Sequence, residues 1–364
     1  MSTPPEPNVE SAPFPLPRYR TGRPDLDQRL VALIDAIGVT ENRDLLFEIL
    51  ASAVRLAGDG ADRLDLKITS AALREMRDAY RMFAPYDHVP KVTIFGSART
   101  LPDAPVYAQA RDLAAAIAAC GWMVVTGAGP GIMQAGMEGA GRERSLGVRI
   151  RLPFETGANP LIAGDDKLVT MKYFFTRKLM LMKESAGFVA LPGGFGTLDE
   201  TLELLTLQQT GKAEPAPLVL LDTPGDSFWA DWSAFARDTV AARGLINPDD
   251  LDLYQVTDDV AAARDTIIGF YRNYHSLRWV GPRLVLRLNA LPTDEEVGEL
   301  NDRFSHLCVK GPIERRGPLA AEVADEDQLD RPRLVMTYDP FHPAALHQII
   351  AALNALPSAP AAAR

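Results

Sequence analysis

Leu191-Pro-Gly-Gly-Phe-Gly-Thr-Leu-Asp-Glu200 decides how this chain is read. The apolar run Gly187-Phe-Val-Ala-Leu191 leads into it, and Thr201-Leu-Glu-Leu-Leu-Thr-Leu-Gln-Gln209 leads out at helical spacing. That order predicts a buried strand, a glycine turn and a helix. Gly193, Gly194 and Gly196 let backbone N–H groups crowd around an anion, and the new helix aims its positive end at the same point. The Thr197 hydroxyl adds a further donor. So dense a run of glycines exceeds what a tight turn needs, so the stretch reads as a phosphate cradle. Glu200 lies one helical turn further in. Asp199 suits the helix dipole, but a carboxylate beside a bound phosphate is repulsive, a cost that is tolerable where the carboxylate does chemistry. Glu203 follows at three residues on the same face.

Working outward, apolar runs are expected as strands at 91–95, 122–126, 147–152, 167–171, 187–191 and 217–221. Helices are expected at 107–120, 132–144, 174–185, 228–243 and 260–274. Continuous apolar strands alternating with helices predict an α/β fold, a Rossmann-like doubly wound parallel sheet covered on both faces. Ligands of such sheets bind beyond the carboxyl ends of the strands. The small-residue turns at Gly96-Ser97, Gly127–Gly131 and Gly193 are therefore expected on one rim. Arg177 and Lys178 form a basic pair on the otherwise apolar helix before the motif strand, so at least one can reach that rim. Arginine suits fixed, bidentate recognition of phosphate.

Several chemistries lose support. No Gly-Lys-Ser/Thr follows the glycines, which removes a P-loop. Gly127-Ala-Gly-Pro-Gly131 resembles a dinucleotide fingerprint in part, but Pro130 breaks it and the next strand, Gly147-Val-Arg-Ile-Arg-Leu152, ends without the usual acid, so NAD is not expected. The five histidines are scattered, and His342 and His347 miss the spacing of a helical ligand pair, so neither metal nor other cofactor is expected. No Gly-x-Ser-x-Gly elbow supports serine acyl transfer.

The net charge of -10 argues against nucleic acid as the main partner, though a small nucleotide needs only a local cluster of donors. Two distant cysteines fit a reducing, cytoplasmic setting. No apolar run reaches the roughly 20 residues that span a bilayer, so no membrane partner is expected. Residues 1–20 read as a disordered tail and 21–85 as a helical cap, with Leu33, Ile37, Leu45 and Ile49 among its inner-face residues. The catalytic block is placed at 86–275. A small α+β domain follows at 276–356, with strands near 283–288, 317–323 and 333–338, helices near 293–307 and 343–356, and a tail at 357–364.

Pro192-Gly-Gly-Phe-Gly-Thr-Leu-Asp-Glu200 resembles the Pro-Gly-Gly-x-Gly-Thr-x-x-Glu signature of the LONELY GUY (LOG) family. Phe175-Thr-Arg-Lys178 is similar to that family's Arg-Lys helix, and Phe95–Ser97 and Gly127–Met133 fall where its first two nucleotide loops fall. The resemblance spans roughly 91–268. It implies a phosphoribohydrolase that cleaves the N-glycosidic bond of nucleoside 5′-monophosphates, AMP-like or cytokinin-derived, to free base and ribose 5-phosphate. Carried over, Arg177 and Glu200 are the catalytic pair, and Gly193, Gly194, Gly196 and Thr197 bind the 5′-phosphate. Gly131 and Ser97 are candidates for phosphate or ribose contact, with Lys178 and Glu203 in support. Residues 153–159 also resemble the large bacterial nucleosidases, which suggests a base or ribose contact from Glu155 or Asn159. A homodimer or higher homo-oligomer is the family expectation. A non-catalytic carrier of a nucleotide or phosphorylated cofactor is the alternative, since the same scaffold can hold such a ligand without cleaving it.

Overall fold

The structure is a computed structural model that describes residues 15–153 and 157–361. The chain divides into two compact units between Arg74 and Glu75. In the smaller one, α1 (Pro24–Ile37) and α2 (Arg43–Gly58) pack through Ile34, Phe47 and Ala51. Leu33, Ile37, Leu45 and Ile49, expected inside, are exposed along these helices. Two helices alone cannot cover both flanks of a broad apolar stripe, and only its centre is buried. α3 (Arg63–Phe83) gives the larger unit its second half, from Glu75 onward.

The larger unit then alternates β1 (Lys91–Phe95), α4 (Pro105–Ala119), β2 (Met123–Thr126), α5 (Ile132–Ala140), β3 (Ser145–Ile150) and β4 (Leu168–Met171). It continues with α6 (Phe174–Lys183), β5 (Gly187–Ala190), α7 (Phe195–Gln209), β6 (Leu218–Leu221), α8 (Phe228–Phe235), β7 (Gln255–Thr257) and α9 (Val260–Gly269). Every strand pairing in this seven-stranded sheet is parallel, in the order β4-β3-β2-β1-β5-β6-β7. This is the expected Rossmann-like sheet. Its continuous apolar strands are explained by burial on both faces. On β5, Phe188 and Ala190 join a core with Phe83 of α3, Leu181 of α6 and Trp229 of α8. Val189 and its neighbour Leu191 join the opposite core, with Leu113 and Ile117 of α4 and Ile267 of α9.

The C-terminal part carries β8 (Tyr274–Val280), β9 (Arg283–Leu288), α10 (Asp294–Phe304), β10 (Cys308–Arg315), α11 (Ala320–Ala324), β11 (Arg333–Tyr338) and α12 (Ala345–Ala355). Its sheet is antiparallel in the order β10-β11-β9-β8. Two expectations fail here. The helix placed at 260–274 stops at Gly269, and the chain from Tyr274 pairs with β9 as a strand. The strand expected at 317–323 is the short helix α11, while the strand lies earlier, at β10. Gly311 and Pro312 hid β10, because that pair normally breaks a strand. β10 is an edge strand with a register shift between Lys310 and Glu314, where a positive-φ Gly311 and a proline are tolerated.

One buried ionic cluster ties this small domain together. Glu322 caps α11 through the Leu319 N–H at 3.0 Å, accepts from Arg287 Nη2 at 2.9 Å and lies 2.9 Å from Arg333 Nη1. All three side chains are at least nine-tenths buried. Burial alone would raise the Glu322 carboxyl, but the Leu319 N–H and the two guanidinium groups bring it below its ordinary value. Its contribution to stability is therefore present above the unfolded value of about 4.3 and is lost as pH falls through the lower folded value. Glu322→Ala leaves Arg333 without a carboxylate and Arg287 with Asp327 alone, and is expected to cost about 3–5 kcal/mol at neutral pH, read as a lower midpoint in urea unfolding. That loss should shrink toward zero as the pH of the titration is lowered.

Candidate active site

The strand order reverses between β1 and β5, so the loops leaving them diverge and open a crevice at their carboxyl ends. The three glycine-rich turns meet there. The Ser97 carbonyl accepts from the Ile132 N–H at 3.0 Å, which stitches the turn after β1 to the start of α5. Gly131 makes that stitch possible. Its φ is 66°, and a Cβ there would fall 2.3 Å from the Ser97 oxygen. At Gly193 a Cβ would fall 2.3 Å from Thr197 Oγ1, so the cradle closes tightly on its own helix.

α7 starts from Gly194 with no side-chain cap. Among the described residues, the N–H groups of Phe195, Gly196 and Thr197 have no acceptor; the first return bond is Leu198 N–H to the Gly194 carbonyl, at 3.1 Å. Free N–H groups and the positive helix end therefore point at one place, suited to an anion.

α6 brings the opposite charge pattern. Arg177 Nε donates to the Val148 carbonyl and Nη1 to Glu200 Oε1, each at 3.0 Å. Both side chains are about nine-tenths buried. The guanidinium also lies close against Gly127, where a Cβ would be 2.2 Å from Nη2. Burial pushes the Glu200 carboxyl above its ordinary range; Arg177 opposes that rise and Asp199 adds to it. The cleft, of about 800 Å³, is lined by Ser97, Arg99, Gly127, Arg177, Thr197 and Glu200 among others. Gly193, Gly194 and Gly196 line it too.

Other expected residues stand apart. Lys178 is outside the lining, paired with Asp199 at 3.1 Å and with Glu203. Burial by itself lowers the Lys178 ammonium, and those two carboxylates more than reverse this. Asn159 is buried and braces the second loop. Its Nδ2 donates to the Gly129 carbonyl at 3.2 Å and its N–H to the Ala128 carbonyl at 3.0 Å. Gly131 shapes the rim without lining it. Glu155 lies outside the described residues. No helix among the described residues is long and apolar enough to cross a membrane, and no three metal-binding side chains converge there.

Arg99 was not singled out by the sequence. It lines the cleft, is exposed, and has no ion pair among the described residues. Its position directly after the small-residue turn of the first strand was the available signal.

A Rossmann-like α/β protein whose cleft holds an uncapped helix start and a buried guanidinium–carboxylate pair is the class that fold and site define. The family profile described as possible lysine decarboxylase matches residues 131–267. A cytokinin riboside 5′-monophosphate phosphoribohydrolase of Mycobacterium marinum is 33% identical over 164 residues, 41% of this chain and 85% of that protein. The probable cytokinin riboside 5′-monophosphate phosphoribohydrolase LOGL1 of Oryza sativa subsp. japonica is 29% identical over 40% of this chain. The chain belongs to the LOG family. It spans 61% of the rice protein and 32% of the Arabidopsis thaliana relative LOG3, which is 39% identical over 72 residues. Among solved structures, the molybdenum cofactor carrier protein of Chlamydomonas reinhardtii is 23% identical with a TM-score of 0.35, over 48% of this chain and 94% of that one.

Gly131→Ala tests the stitched rim. The positive φ alone is expected to cost about 1–3 kcal/mol, and the contact with Ser97 adds to it. Gly121→Ala, at φ 88° with open space around it, is the control for the backbone part. Gly131→Ala should show the larger drop in urea midpoint, since its ψ of -132° and the contact with Ser97 both add to the positive φ; equal midpoints would contradict that added cost.

Proposed function

We propose that the protein hydrolyses the N-glycosidic bond of nucleoside 5′-monophosphates, AMP-like or cytokinin-type, to free base and ribose 5-phosphate. The observation that carries this reading is the Arg177–Glu200 pair, 3.0 Å apart, in the same cleft as the uncapped start of α7. The names of the M. marinum and rice relatives support the same reaction.

The chemistry follows from charge. Loss of the base leaves a ribosyl group with oxocarbenium character. The N–H groups of Phe195–Thr197 hold the 5′-phosphate, and that remote binding orients the sugar. Glu200 faces the developing positive charge and orients or activates the attacking water. A guanidinium stays protonated, so Arg177 does electrostatic work: it keeps the buried carboxylate ionised and in place. Arg177 is already committed to Glu200 and Val148, which leaves Arg99 as the cation able to meet phosphate.

A panel of purine and pyrimidine nucleoside monophosphates, with adenosine alongside AMP, assayed for free base, tests the reaction. Base release from the monophosphates and little from adenosine is expected. Tight nucleotide binding with no release would make the protein a carrier instead. Arg99→Gln is expected to raise KM for AMP about 10-fold with kcat kept, in line with the loss of one charge-assisted hydrogen bond. An unchanged KM would remove Arg99 from the site. The pH profile gives a second check. Glu200 acts as the carboxylate, so kcat/KM should fall as pH drops through its raised value. The acid limb should therefore lie above the ordinary glutamate value of about 4.3. A limb at or below that value would contradict the role.

A further inference from the structure

α6 is only ten residues long and carries Arg177 in its first turn, yet its own N-terminal segment offers no side-chain cap. The cap comes from elsewhere. Glu75 of α3 accepts from the Lys172 N–H at 2.9 Å through Oε1, and from the Tyr173 N–H at 3.4 Å and Thr176 Oγ1 at 2.7 Å through Oε2. Thr176 is fully buried and immediately precedes Arg177. One carboxylate thus ties two backbone donors and a buried hydroxyl at the start of α6, where a negative charge also favours the helix dipole.

We propose that Glu75 is a positioning residue for the reaction: by capping α6 from α3 it fixes the rotation and depth of the first turn, and so the placement of Arg177 against Glu200. The inference rests on the reading of Arg177 and Glu200 given under Proposed function. The geometry transmits directly. Arg177 reaches three fixed groups, the Val148 carbonyl, the Glu200 carboxylate and the Gly127 backbone, and none of them can follow if the first turn of α6 shifts. The phosphate cradle lies on the other helix, α7, and is not touched by Glu75. Losing the cap should therefore disturb chemistry more than binding. Nothing in the glycine motif reveals this, because Glu75 lies 101 residues before Thr176 in sequence.

The experiment uses the full chain with AMP as probe. Glu75→Ala is expected to lower kcat about 10- to 100-fold, the scale of a small misplacement of a catalytic group, while KM for AMP stays close to wild type. Glu75→Gln keeps an acceptor oxygen and should recover part of kcat. A purely structural role would not produce that split or that rescue. Amide hydrogen exchange is measured in parallel and should rise at Lys172 and Tyr173 in Glu75→Ala, with the start of α7 unchanged. Wild-type kcat in Glu75→Ala, or kcat and KM worsening in the same proportion without rescue by glutamine, would overturn the proposal. If Glu75→Ala does not fold, Thr176→Val removes the hydroxyl contact alone and should give the same split in smaller degree; no split there overturns it. If the wild-type protein releases no base from AMP or the rest of the panel, the proposed reaction fails on its own. The capping role is then judged by exchange: faster exchange at Lys172 and Tyr173 supports it, and unchanged exchange overturns it.

Discussion

A carboxylate and a guanidinium, both buried and 3.0 Å apart, are the constraint around which the larger unit is arranged. Desolvating two charges is costly, and a pair of this kind persists only where further hydrogen bonds fix its geometry. Here the Val148 carbonyl, on the β3 strand, takes the Arg177 Nε. Gly127 leaves room for the guanidinium plane. α6 and α7 supply the two partners from one face of the sheet, over the same core of Phe188, Leu181 and Leu204. Removing the glycine at 127, or the strand register that presents Val148, would leave the pair without its frame.

The same constraint explains why the cradle and the carboxylate can share a cleft. An anion bound at the start of α7 would raise the Glu200 carboxyl further. Arg177 lies between these demands, holding the carboxylate while the free N–H groups of α7 and the exposed Arg99 face the cleft. In the proposed reaction the backbone dipoles and the exposed Arg99 would serve binding, and the buried pair would face the developing ribosyl charge. At its far end α7 is anchored separately. Gln208 Oε1 lies 2.8 Å from His347 Nε2 of α12, and burial lowers that imidazole to about 4, so it is neutral at pH 7 and adds no charge to the helix.

Much of this was legible from residues. The motif Leu191–Glu200 announced strand, turn and helix, because three glycines and a helical apolar stripe leave few other local solutions. The meeting of the turns at Ser97, Gly127 and Gly193 followed from the parallel alternation alone. What stayed hidden depends on contacts distant in sequence. Asn159 looked like a ligand contact, yet its side chain braces the Gly129 loop. Lys178 and Glu203 looked like site residues, but they pair with each other beyond the lining. Arg99 was marked only by its place directly after the Gly96–Ala98 turn. β10 was disguised by Gly311 and Pro312, which only an edge strand tolerates, and β8 by His275, Ser276 and Arg278, which interrupt its apolar pattern. Leu33 and Leu45 kept the periodicity of a buried face without being buried, since period reports amphipathicity and not the presence of a cover.

The role assigned to Glu200 is tested most directly by separating binding from turnover in Glu200→Gln. The substitution keeps shape and one acceptor for Arg177 but removes the negative charge. Equilibrium titration with AMP should give wild-type affinity or tighter, since a repulsive carboxylate is gone, while base release falls by about 10²- to 10⁴-fold. Wild-type turnover in that variant, or loss of AMP binding in step with turnover, would contradict the account.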